Sequence, residues 1–137
     1  MSNHVVLIVE DDADTRDVLR TALESEGFTV MGAEDSVLAL SALSSIRPDV
    51  IVVDLMLPRF DGISLIRWIR NDPESVKIPI VAMTAHGDFY LRQAERAGAN
   101  LTVRKPEEMP DIPAMIKRLL GNGNSGKNKQ GQGVRGY

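Results

Sequence analysis

The chain has 137 residues, 43% apolar and 26% charged, which suits one domain with a real core and excludes wholesale disorder. It contains no cysteine, so a disulfide framework, a thiolate metal site and a cysteine nucleophile are excluded. The formal net charge of −3 blends two parts: residues 1 to 120 carry 13 Lys and Arg against 19 Asp and Glu, a net of −6, while the last 17 residues hold Lys127, Lys129, Arg135 and no acid.

In chain order, Val5-Val6-Leu7-Ile8-Val9 is a short, uninterrupted apolar run rich in β-branched residues, the pattern of a strand buried on both faces. Val18, Leu19, Ala22 and Leu23 follow at helical spacing, with Gly27 as a C-cap signal. Phe28-Thr29-Val30-Met31 is a weaker strand. After Ser36, a good N-cap, Ala39, Leu40 and Leu43 mark a second helix that has to end before Pro48. Val50-Ile51-Val52-Val53 is the third strand, and Leu65, Ile66 and Ile69 mark a helix stopping near Asp72-Pro73. Ile80-Val81-Ala82-Met83 is the fourth strand; a weakly amphipathic helix, about 88 to 97, ends at Gly98. Leu101-Thr102-Val103 closes the strand series. The fifth helix is expected from about Ile112 to Leu120, with Pro113 in its first turn and Gly121 as its stop. Residues 121 to 137 include six glycines among Asn, Ser and Gln, the composition of a free tail or a linker.

Strict alternation of strands and helices predicts an α/β, doubly wound (βα)5 three-layer sandwich with right-handed crossovers. In such sheets the functional crevice lies beyond the C-terminal strand ends. The first strand runs into Glu10, Asp11 and Asp12, the third into Asp54, the fourth into Thr84, and the last into Arg104 and Lys105. Carboxylates crowded together repel unless a cation joins them. Mg²⁺ suits a few carboxylates, several waters and a phosphate oxygen. Lys105 would add a point charge and Thr84 a hydrogen-bond donor for phosphoryl oxygens. Asp54, alone at the end of a central strand, is the natural nucleophile toward phosphorus.

Val9-Glu10-Asp11-Asp12, Val53-Asp54-Leu55-Met56-Leu57-Pro58 with Asp61-Gly62, Met83-Thr84-Ala85 and Lys105-Pro106 together resemble the receiver domain of two-component response regulators, of the chemotaxis-type single-domain kind. The likeness spans roughly residues 4 to 120, and the expected receiver domain is residues 1 to 120. It implies a flavodoxin-like parallel sheet of order 2-1-3-4-5. It further implies that Asp54 accepts a phosphoryl group from a histidine kinase or histidine phosphotransfer protein. Glu10, Asp11, Asp54 and the Met56 backbone carbonyl would bind Mg²⁺. Thr84 and Lys105 would engage the phosphoryl group, Ala85 would be the small neighbour, and a downstream protein effector, or a homodimer, would read the altered face.

Two positions depart from the family pattern. Thr102 stands where an aromatic residue usually sits three positions before the lysine, so the aromatic half of the usual readout is missing. Glu107-Glu108-Met109-Pro110 follows the Lys-Pro pair, so the fifth helix is expected to be delayed and short. His86, two residues after Thr84, is a candidate for tuning the lifetime of the phosphoryl group.

Blander readings exist for single residues: Asp12 and Asp14 suit a helix N-cap and first turn, Thr84 a cap, and Lys105 a solvated loop. An aspartate-nucleophile phosphatase would carry a second Asp two residues after the nucleophile, where this chain has Met56. A phosphate-independent interaction module on the same fold is the other alternative. The acidic body disfavours direct nucleic-acid binding. No run approaches the roughly 18 apolar residues of a membrane span, and Met1-Ser2-Asn3-His4 does not resemble a signal peptide. The expectation is therefore a cytoplasmic protein without membrane insertion, acting as a switch rather than as an enzyme on other molecules.

Overall fold

The computed structural model describes residues 4–125, with side chains as far as residue 121. Five strands, β1 (Val5–Val9), β2 (Thr29–Ala33), β3 (Val50–Asp54), β4 (Ile80–Thr84) and β5 (Leu101–Arg104), alternate with helices α1 (Ala13–Glu24), α2 (Ser36–Ser45), α3 (Gly62–Asn71), α4 (Asp88–Ala97) and α5 (Ile112–Ser125). All pairings are parallel and the order is β2-β1-β3-β4-β5, as expected for the doubly wound α/β class.

The absence of polar alternation in the strand sequences has a direct cause. Leu7 and Val9 of β1, with Ile51 and Val53 of β3, pack into one core with Leu65, Ile66, Ile69 and Ala94. Their neighbours Val6, Ile8, Val50 and Val52 pack into a second core with Leu19, Leu23, Ile112 and Ile116. Helices therefore cover both faces of the sheet. Each fully buried aliphatic side chain stabilises the fold by roughly 1.5–3 kcal/mol, so these two layers can offset the cost of polar groups held at the strand ends.

Aspartates open the first three helices. Asp12, Asp35 and Asp61 have extended backbones, and their carboxylates accept hydrogen bonds from the N–H groups of Thr15, Leu38 and Ser64. The cap of α2 is thus Asp35, where the sequence suggested Ser36. Ser36 is the buried first residue of the helix. Its hydroxyl accepts from Phe60 N at 2.9 Å and donates to Pro58 O at 3.3 Å, so a distant loop claims the group that would otherwise cap. Gly27 (φ 95°) and Gly98 (φ 124°) close α1 and α4 in the left-handed region, where glycine has no Cβ to clash.

The fifth helix corrects the expectation of a short element. A 3₁₀ turn, Met109–Asp111, accounts for its delayed start, but α5 then runs 14 residues to Ser125. Gly121 does not adopt the left-handed conformation that ends a helix, so its weak helix propensity alone does not stop it. The start of the expected tail, 121–125, is therefore helical; residues 126–137 lie outside the described part. No helix among the described residues is long and apolar enough to cross a membrane.

At the open edges of the sheet, outward-facing backbone groups are met by side chains. The guanidinium of Arg20 donates to Val30 O of β2 at 3.0 Å, and Glu108 accepts from Arg104 N of β5 at 2.8 Å.

Candidate functional site

The register fixes what meets at the C-terminal edge. Val9 pairs with Val53 and Asp54 with Met83, so Glu10, Asp54 and Thr84 emerge side by side from β1, β3 and β4. Thr84 pairs with Arg104, which brings Lys105 to the same rim. Glu10, Asp54 and Thr84 are buried, at 0%, 3% and 1% exposure, while Asp11 faces solvent.

A lysine ties the acids together. The ammonium of Lys105 lies 2.7 Å from Glu10 Oε1 and 3.1 Å from Asp54 Oδ2. The remaining carboxylate oxygens take backbone donors: Asp54 Oδ1 accepts from Met56 N, and Glu10 Oε2 accepts from Asp12 N, both at 3.1 Å. Burial pushes the Glu10 carboxyl up to about 7, despite the Lys105 hydrogen bond that pulls the other way and with help from the nearby Asp54 charge. Burial would lower the Lys105 ammonium, but its bonds to Glu10 and Asp54 outweigh that and hold it above its ordinary value. The hydrogen bonds from Thr15 hold the Asp12 carboxyl below its usual range, as befits a helix cap.

Carboxylate oxygens of Glu10, Asp11 and Asp54 lie within 4.8 Å of one another. Three hard oxygen donors on a partly open rim fit a divalent cation of the Mg²⁺ type, which binds through a few carboxylates and keeps several waters. At Met56 the contact to Asp54 runs through the backbone N–H, and the residue itself is exposed. The phosphatase pattern finds no second carboxylate there.

Other candidates fall around this centre. Thr84 Oγ1 accepts from His86 N at 3.1 Å, and Lys105 N donates to Thr84 O at 2.9 Å. Ala85 and His86 are exposed on the loop before α4, where the His86 ring meets Tyr90 edge-on at 6.3 Å. Thr102 is partly buried in β5 opposite Ala82, back from the rim. His4 lies at the far end of β1, where its carbonyl accepts from Thr29 N.

Two residues matter that sequence reasoning left without a role. Gly62 N donates to Leu55 O at 2.9 Å, and a Cβ at Gly62 would lie 2.5 Å from Asp54 O. The start of α3 therefore presses on the backbone that carries Asp54, closely enough that only glycine fits. The Asp-Gly pair was the available signal. Arg16 donates to the carbonyls of Glu10 and Asp11 at 2.8 and 3.3 Å, and nothing in helical periodicity marks it.

Comparison with known proteins agrees with this geometry. Residues 6–117 match the response regulator receiver domain family. The response regulator MprA of Mycobacterium ulcerans is 37% identical over 116 residues, covering 84% of this chain and 49% of that protein. The chain thus spans about half the length of the curated relatives it matches. Among solved structures, a two-component response regulator from Clostridium difficile superposes with a TM-score of 0.82 at 28% identity, covering 89% of this chain and 99% of the other. The signal receiver domain of a signal transduction histidine kinase from Syntrophus aciditrophicus gives 0.81 at 28% identity, covering 94% and 97%. A fold of five parallel strands in this order, an acidic rim bridged by a lysine and a family match over most of the chain lead to one statement: this chain belongs to the response regulator receiver domain family.

Proposed function

We propose that the protein is a phosphorylation-operated switch in which Asp54 receives a phosphoryl group from a phosphohistidine on a histidine kinase or phosphotransfer protein. The observation that carries this reading is the single ammonium of Lys105 held between Glu10 and Asp54 at a solvent-reachable rim. An oxygen of Asp54 attacks phosphorus in line, the P–N bond breaks, and its electron pair returns to the ring nitrogen, leaving an acyl phosphate. Lys105 stands where it can follow the negative charge from the carboxylate to a phosphoryl oxygen, and the Thr84 hydroxyl on the next strand can donate to another.

Glu10, Asp11 and Asp54, with the Met56 carbonyl as the resemblance suggests, would hold Mg²⁺. When bound, the ion supplies charge neutralisation at the phosphoryl oxygens. The protein acts on itself and signals through a downstream protein. Direct nucleic-acid binding by the described part is disfavoured by its acidity. With Thr102 in place of an aromatic residue, the readout runs through the α4–β5–α5 face without a rotating ring.

Incubation with a small acyl or amido phosphate donor and Mg²⁺ tests the reading. One label per chain is expected, absent in Asp54→Asn. No labelling would favour the phosphate-independent module, and rapid turnover of unrelated phosphate esters would favour a phosphatase.

A further inference from the structure

Asp11 is exposed and lies two residues past the end of β1, beyond Glu10, whose N–H still donates to Ala33 O at 3.0 Å. Its ordering has to come from elsewhere. The peptide linking Asp11 to Asp12 is gripped at both ends: its N–H donates to Glu10 Oε2 at 3.1 Å, and its carbonyl accepts from the Arg16 guanidinium at 3.3 Å. The same Arg16 nitrogen donates to Glu10 O at 2.8 Å. One cation one turn into α1 thus orients two consecutive carbonyls and presents the acids to the opposite side.

The strand beside it makes room for this reach. Gly32 on β2 lies under the Arg16 stem, and a Cβ there would come within 3.3 Å of Arg16 Cδ and 3.1 Å of Arg20 Nη2. Arg20, also on α1, uses its guanidinium on Val30 O and touches no part of the acidic loop. Two arginines therefore cross the same glycine, and only one serves the site.

We infer that Arg16 is a positioning residue for the divalent cation, acting through the backbone of Glu10 and Asp11 without touching the ion. This rests on the reading of Glu10, Asp11 and Asp54 as its ligands. Partners that orient metal ligands typically contribute about 10- to 100-fold to affinity. A lysine carries the same charge on a shorter arm and presents a point donor in place of the fork, so charge alone should not suffice.

The test is Mn²⁺ titration of the full chain, following free ion by electron paramagnetic resonance, with thermal unfolding recorded alongside. Arg16→Met is expected to bind about tenfold more weakly than the native chain, and Arg16→Lys to recover only part of that loss. Arg20→Met, which removes a neighbouring arginine of the same helix, should bind as the native chain does. Arg16→Met binding within twofold of the native chain, or equal losses in Arg16→Met and Arg20→Met, would overturn the inference and leave the metal site standing. Should Arg16→Met fail to fold, Arg16→Lys decides, with full native affinity counting against the inference. A native chain that takes up no Mn²⁺ would instead remove the metal-binding reading on which the inference rests.

Discussion

Two cations lie partly buried at opposite ends of this sheet, and they are held by opposite means. At the C-terminal rim, Lys105 is held between two carboxylates, Glu10 and Asp54. At the N-terminal end, Arg70 of α3 meets Gly98 O, Val76 O, Ile78 O and Asn100 Oδ1 at 2.8 to 2.9 Å, with no charged partner among these contacts. Burial lowers the Arg70 pKa, yet a guanidinium keeps its proton and four of its five donors meet fixed acceptors. One arrangement is held by opposite charges and is exchangeable, because another cation can take the place of the ammonium. The other is held by four hydrogen bonds to neutral acceptors and has no counter-ion among them to exchange.

The largest expected effect tests the Arg70 end. Arg70→Met removes four bonds from a charged donor, each of which is worth about 1.5–3 kcal/mol net, although Asn100 Oδ1 keeps the Ile80 N–H. With partial exposure as a discount, denaturant unfolding should show a loss of roughly 3 kcal/mol that added Mg²⁺ does not restore beyond its effect on the native chain.

The rim responds to pH instead. A carboxyl raised to about 7 from 4.5 favours its neutral form in the folded state. The stability Glu10 contributes is therefore fully present below about pH 4.5 and is lost as pH rises through 7. Compared with Glu10→Gln, the metal-free native chain should lose on the order of 3 kcal/mol between pH 4.5 and 8. Divalent-cation affinity should move the opposite way, falling below pH 7 as Glu10 takes up a proton. Unfolding curves at several pH values check the first expectation, and calorimetric Mg²⁺ titrations the second.

Lys105→Met leaves Glu10 and Asp54 facing each other without their counter-ion. The metal-free protein should lose about 2 kcal/mol, less than a fully buried pair would cost because the lysine is partly exposed. Here millimolar Mg²⁺ should recover most of the loss, and an equal failure to recover in Lys105→Met and Arg70→Met would erase the contrast. The smallest effect is expected from Asn100→Asp. It keeps an acceptor for both Arg70 and Ile80 N and gives Arg70 a charged partner. Stability near neutrality should change by less than about 1 kcal/mol. The new carboxyl, lowered by Arg70, should add a contribution present at neutral pH and lost as pH falls through its depressed pKa.

The fold was legible because its strands are buried on both faces, and each apolar run could be read without knowing its neighbours. The acids and the lysine were legible for a related reason: each stands where such a run stops. What escaped the sequence depended on long-range choices. Asp35 and Ser36 are both competent caps, and the loop from Pro58 to Phe60 decided between them by taking the Ser36 hydroxyl. Gly121 carries a stop signal that acts only if the backbone turns left-handed, which it does not. Arg16 and Arg70 carry no periodic signal, because most of their targets are backbone carbonyls that helical periodicity cannot see.

The pairs Arg20 with Val30 O and Glu108 with Arg104 N have a consequence for how copies of this protein meet. A parallel sheet ends in two rows of unpaired backbone groups, which are templates for another strand. Here each row is occupied at one point by a charged side chain of the same molecule. A strand from another chain would have to displace a charged side chain at one point of either edge before it could pair along its whole length.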